Sequence, residues 1–144
     1  MGRTKILGVA AALAISSSVA LALTVAPHWM GSVTGKDGAK TTGSAMMMPT
    51  ADGAGTEVTL DLKGESPGVT RPWHIHVGSC AKSGGVFGGG RSYTPITIDD
   101  KGNGSGKATL MVALPDTGSY YVNVHESAAT MSKIVACGDL SLMK

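Results

Sequence analysis

Three of the four histidines fall in two short stretches whose residue pattern suits metal binding. The first runs Arg71-Pro72-Trp73-His74-Ile75-His76-Val77-Gly78-Ser79-Cys80. In an extended strand, side chains two positions apart share a face, about 6.5–7 Å apart along the strand. His74 and His76 then point one way, and Trp73, Ile75 and Val77 the other. The apolar side enters a core while the imidazoles stay together outside, and a turn at Gly78 delivers Cys80. The second stretch is Tyr120-Tyr121-Val122-Asn123-Val124-His125-Glu126, with Tyr120, Val122 and Val124 on one face and Tyr121, Asn123 and His125 on the other. Cys137 follows it. If Cys80 and Cys137 pair, the two strands are brought near each other and three imidazoles converge. Three neutral imidazoles suit copper, or zinc with an open position.

Such strands need a stable sheet. The chain has 144 residues, enough for one domain, with 21 glycines and few aromatics. That composition limits the core and raises the value of a cross-link. The start reads as a secretion signal: Gly2 to Lys5 is basic, Ile6 to Ala26 is apolar apart from Ser16-Ser17-Ser18 and Thr24, and Ala20-Leu21-Ala22 is an A-x-A cleavage site. Residues 1–22 are therefore expected to be a signal peptide. The apolar run is also long enough to serve as an N-terminal membrane anchor or tether. Both cysteines lie in the exported part, which favours a disulfide, and two cysteines allow a single pairing. Without Arg3 and Lys5, ten Lys/Arg face ten Asp/Glu, so the remaining chain is near neutral. It has no basic patch or aromatic platform for nucleic acid. The expected location is outside the cytoplasm: secreted, periplasmic or at the cell envelope.

Residues 23–42 are polar and glycine-rich and read as a flexible linker that carries His28 and Met30. Ala45-Met46-Met47-Met48-Pro49 reads as a first strand with Met at the core, with soft Cu(I) ligation by the thioethers as the competing reading. Thr56 to Lys63 alternates cleanly, with Val58, Leu60 and Leu62 inward. Glu65-Ser66-Pro67-Gly68 is a turn. Gly84 to Gly90 lacks the Gly-Lys-Ser/Thr ending of a phosphate loop and reads as a surface loop with Phe87 as an anchor. Tyr93 to Ile98 is expected to be a short strand, Asp99 to Gly106 a hairpin turn, and Lys107 to Leu114 a strand with Ala108, Leu110, Val112 and Leu114 inward. The last strand lies near Ile134 to Leu142. Short strands between Gly/Pro/Asp turns predict an all-β fold, an antiparallel sandwich or barrel, over residues 43–144.

These motifs resemble the copper/zinc superoxide dismutase family. His74-Ile75-His76 followed by Gly78 and Cys80 is similar to that family's first copper-ligand strand and its disulfide cysteine. Val124-His125-Glu126 resembles the strand bearing another copper histidine, and Ala136-Cys137-Gly138 the segment with the second cysteine. Asp99-Asp100-Lys101-Gly102 ahead of Ala108 resembles a family hairpin. The resemblance spans residues 43–142 in order. It implies a Greek-key β-barrel, copper ligands His74, His76 and His125, and a Cys80–Cys137 bond. Weaker is a resemblance to the CHRD domain, carried by His74 to Gly78 and Tyr121 to His125.

The chain also departs from the dismutase pattern. Ala81 to Ile98 holds no histidine and no aspartate, so the bridging histidine and zinc ligands are missing and zinc is not expected. The segment between His125 and Cys137 is too short for the family's electrostatic loop. Ile134 stands where the family has a guiding arginine, leaving Lys133 as the substitute for drawing in an anion. Asn123 and Glu126 are either ring-orienting residues behind the ligands or ordinary surface groups. The functional expectation is a copper protein acting on superoxide. The alternatives are a copper-binding protein without turnover, for storage, delivery or tolerance, and a structural module of the same fold.

Overall fold

The computed structural model describes Met1, Gly2 and residues 25–144; the expected signal segment lies outside the described residues. Among the described residues nine strands follow one another: β1 His28–Gly35, β2 Thr42–Pro49, β3 Thr56–Lys63, β4 Thr70–Arg71, β5 Trp73–Val77, β6 Ile96–Thr97, β7 Gly104–Leu110, β8 Tyr120–His125 and β9 Ile134–Met143. Seven form one antiparallel sheet in the order β5-β8-β9-β1-β2-β3-β7, and β4 pairs with β6. The short pair bridges the edges of the large sheet. Through Pro72, β4 continues into β5, one edge, while β6 leads through the Asp99–Asn103 turn into β7, the other. The sheet thus curls into an all-β barrel. β8 returns to lie beside the β4–β5 strand, which starts the succession to β6 and β7; this is a Greek-key arrangement.

The core follows from alternation. Val58, Leu60 and Leu62 on β3, Trp73 and Ile75 on β5, Ala108 and Leu110 on β7, and Val122 and Val124 on β8 are all buried. Glu57, Thr59, Asp61 and Lys63 lie on the opposite side of β3. At about 25 cal/mol per Å² of apolar surface, such residues supply most of the driving force. Trp29 and Tyr120 meet edge-on at 5.0 Å, as do Trp73 and Tyr93 at 5.0 Å.

The expected linker over 23–42 is corrected. Its His28–Gly35 stretch is β1, in the middle of the sheet between β9 and β2. Trp29 and Val33 are buried, and the Trp29 Nε1–H donates to the Pro115 carbonyl at 2.7 Å. The inward slot between them holds Gly31, where an added Cβ would sit 2.1 Å from the Asp139 carbonyl oxygen. A glycine forced by the neighbouring strand therefore interrupts the apolar alternation. Residues 36–41 form the hairpin turn to β2. Of the three methionines of β2 only Met47 is buried, beside Ala45, and Met48 is exposed, so the methionine run is one core residue flanked by outward ones.

Two strand expectations are also corrected. β7 ends at Leu110, leaving Val112 exposed and Leu114 partly buried, because the chain turns away ahead of Pro115. Only Ile96–Thr97 of the Tyr93–Ile98 segment pairs as a strand, although Tyr93, Ile96 and Ile98 all reach the core.

Candidate metal centre

β5 and β8 are antiparallel neighbours, with His74 opposite Asn123 and His76 opposite Tyr121. His125 is the diagonal neighbour of His74, within reach of a long side chain. The register is irregular between Val124 and His125, and the His125 N–H donates to the Pro72 carbonyl at 2.8 Å. A bulge here re-aims the side chain. His74, His76 and His125 thereby come together: one nitrogen from each lies within 4.8 Å of the others. His74 and His125 are closest, Nδ1 to Nε2 at 3.1 Å. The ring centroids are 5.9 Å apart for His74 and His76, 5.2 Å for His74 and His125, and 6.2 Å for His76 and His125.

The hydrogen bonds fix which nitrogens face inward. His125 Nδ1 donates to the Met131 carbonyl at 2.6 Å, and His76 Nδ1 to the Gly84 carbonyl at 2.9 Å. In a neutral ring each then presents Nε2 as a lone pair. The His76 Nε2 is buried and has no partner among the described residues. A buried acceptor without a partner is uncommon and costly, and a bound cation would satisfy it. Since the His125 Nε2 is an acceptor, the His74 Nδ1 carries the proton between them. Moving that proton to the His74 Nε2, which lies beside the Gly90 backbone, frees the Nδ1 lone pair. Three inward nitrogens, two of them backed by main-chain carbonyls, fit a divalent or monovalent transition ion.

Protons compete poorly for this site. Burial, then the neighbouring His125 and His76, push the His74 ring down to about 4. His125 is also lowered, by burial foremost and by His76, although its bond to the Met131 carbonyl works the other way. The His74 and His125 rings are accordingly neutral donors at pH 7.

The walls come from two loops. Residues 84–87 run along the free edge of β5, with Val77 N–H donating to the Gly85 carbonyl and Phe87 N–H to the Ile75 carbonyl. Phe87 anchors this loop against Tyr120, ring centroids 5.3 Å apart, as the sequence suggested. Tyr93 covers His74 edge-on at 5.3 Å, and Tyr121 stacks on His76 at 5.2 Å. Gly78, at φ 113°, makes the turn after β5; a Cβ there would meet the Lys82 carbonyl oxygen at 2.3 Å. The Cys80–Cys137 disulfide, Cα atoms 6.0 Å apart, then ties this loop to β9. The Asp139 carboxylate reinforces the tie by accepting the Cys80 N–H at 2.7 Å.

The other expected site residues stand differently. Asn123 is buried on the same face, but the ring N–H groups of His76 and His125 go to main-chain carbonyls. Glu126 accepts from the Lys133 Nζ and, at 3.0 Å, from the Thr130 hydroxyl, and these bonds hold its carboxyl below the usual range. Lys133 is thus paired with Glu126 at the surface.

Residues that the pattern did not single out include Glu65, Arg71 and Thr41. Arg71 donates through Nε and Nη2 to the Glu65 Oε2 at 2.9 and 2.7 Å, and through Nη1 to the Glu126 carbonyl at 2.7 Å. The Thr41 hydroxyl donates to the Glu65 Oε1 at 2.8 Å. This network pins the chain where β8 leaves for the loop whose Met131 carbonyl holds His125. An Arg within six residues of a Glu was the available sequence signal.

No protein-family model and no curated protein matches this chain.

Proposed function

We propose that this is an exported copper protein whose centre is His74, His76 and His125, and that it dismutes superoxide. The carrying observation is the convergence of three inward imidazole nitrogens, with the His76 Nε2 buried and unpartnered. Imidazole donors on neutral rings suit copper, and the resemblance to copper/zinc superoxide dismutases favours it over zinc. Copper bound there would supply one-electron chemistry, turning two superoxide ions and two protons into dioxygen and hydrogen peroxide.

The chain's own residues contribute the rest. His74 Nδ1, His76 Nε2 and His125 Nε2 would hold the ion. The Gly84 and Met131 carbonyls orient two of those rings, raise their basicity and fix their tautomers. Three protein donors leave a position for a diatomic anion. Lys133 offers weak attraction to that anion, because Glu126 already neutralises it.

That pairing, and the lack of any histidine or aspartate over 81–98, favours a second reading: a protein that holds copper without turnover. Pulse radiolysis of the copper-loaded protein separates the two. Dismutation well above that of copper–amino-acid complexes, and lost in His125→Ala, is the expected result. A rate no better than those complexes rejects the catalytic reading and leaves copper holding.

A further inference from the structure

The methionines of β1, β2 and β9 are left without a role by the histidine centre, which β5 and β8 carry. β1 is flanked by β2 and β9, and the three strands present their even- and odd-numbered residues to opposite sides. Trp29, Val33, Ala45, Met47 and Leu140 point into the core. Outward, Met30 lies opposite Met46 on β2 and opposite Ser141 on β9. His28 lies opposite Met143 on β9, and the same register carries Met48 to its other side. Directly opposed residues have Cβ atoms about 4.5–5.5 Å apart, and diagonal ones remain within reach of long side chains. Four of the eight methionines and the remaining histidine thus gather at one end of one sheet face.

Met30, Met48 and Met143 are exposed. A cleft of about 210 Å³ opens there, lined by Val25, Ala26, His28, Met46, Met48 and Pro49. The His28 ring is already oriented: its Nδ1 donates to the Ala26 carbonyl at 3.0 Å, leaving Nε2 as the lone pair. A metal-binding histidine characteristically has its other N–H on a carbonyl. Outward neighbours on the three strands include Ser32, Ser44 and Ser141; both cysteines are in the disulfide, and the carboxylate opposite Met48, that of Glu57 on β3, is paired with the Lys107 Nζ at 3.2 Å.

We propose that this face is a second metal site, for a soft monovalent ion, Cu(I), held by the His28 Nε2 and the Met46 and Met48 thioethers. Met30 and Met143 lie beside them as exchanging ligands. Thioethers select Cu(I) over hard divalent ions, and neutral donors leave the ion's charge uncancelled, which suits reversible loading. The site is independent of the three-histidine centre.

The test is an anaerobic titration of the full chain, labelled with methyl-¹³C methionine, with Cu(I) supplied as its acetonitrile complex. The Met46 and Met48 methyl resonances should shift together and saturate, while Met111, exposed on another part of the barrel, stays. Met46→Leu/Met48→Leu should bind Cu(I) at this face at least tenfold more weakly yet keep Cu(II) binding at the histidines. His125→Gln should leave the Met46 and Met48 shifts intact, which separates failure of one site from failure of the other. Unmoved Met46 and Met48 methyls in the native chain, or Cu(I) affinity within twofold of native in the leucine variant, would overturn the proposal.

Discussion

His74 is the most environment-dependent residue of the centre. Its ring is half-buried between Tyr93, His76 and His125, and is neutral well below its ordinary pKa near 6.5. A base with a depressed native pKa binds more protons unfolded than folded in the interval between the two values. Its contribution to stability is therefore complete above about 6.5 and is lost as pH falls toward about 4. The metal-free protein should show a falling denaturant midpoint across that window, and His74→Gln should show a shallower fall. An equally steep fall in the variant would remove His74 as the cause. At this scale the alternation His74-Ile75-His76 made the outward imidazoles legible in the sequence. Their supports were not legible, because Gly84 and Met131 act through main-chain carbonyls, which carry no side-chain signature.

Between elements, the deciding group is the Arg71–Glu65 pair. Both side chains are largely sequestered, at 13% and 2% exposure, so screening by water is weak. Removing one partner of such a pair leaves a buried charge and costs about 3–5 kcal/mol. Arg71→Met should lower unfolding free energy by that order in urea denaturation, and adding Glu65→Gln should restore part of it. Additive losses in the double variant would show that the two residues do not act as a pair. Arg71 also donates to the Glu126 carbonyl, so the same substitution should loosen the 126–133 loop behind His125. In the sequence, Glu65 sat within a turn signal beside Pro67 and Gly68, and nothing local marked it as buried. Its burial depends on Thr41 arriving from the β1–β2 turn and Arg71 from β4.

Across the whole molecule, barrel closure brings together segments distant in the chain. Cys80 and Cys137 are 57 positions apart, and closing a loop of that size in the unfolded chain is worth about 4 kcal/mol. The all-β class and the strands bearing the histidines followed from period-two patterning and turn residues, and the cysteine pairing from there being two cysteines, both beyond the expected signal segment. β1 did not, since Gly31 breaks its apolar alternation and Trp29 finds its place only against β9, β2 and the Pro115 carbonyl. The methionine face was legible only in part: the Met46 to Met48 run offered Cu(I) ligation as a competing reading, but His28, Met30 and Met143 join it only through the β9–β1–β2 register. Local pattern thus specified the centre's donors, while long-range pairing specified what surrounds them. The most direct check of the three-histidine centre is pulsed electron paramagnetic resonance on protein loaded with one equivalent of Cu(II), counting coordinated imidazoles. Three are expected in the native chain and two in His125→Gln; fewer than three in the native chain, or no change in the variant, would contradict the account.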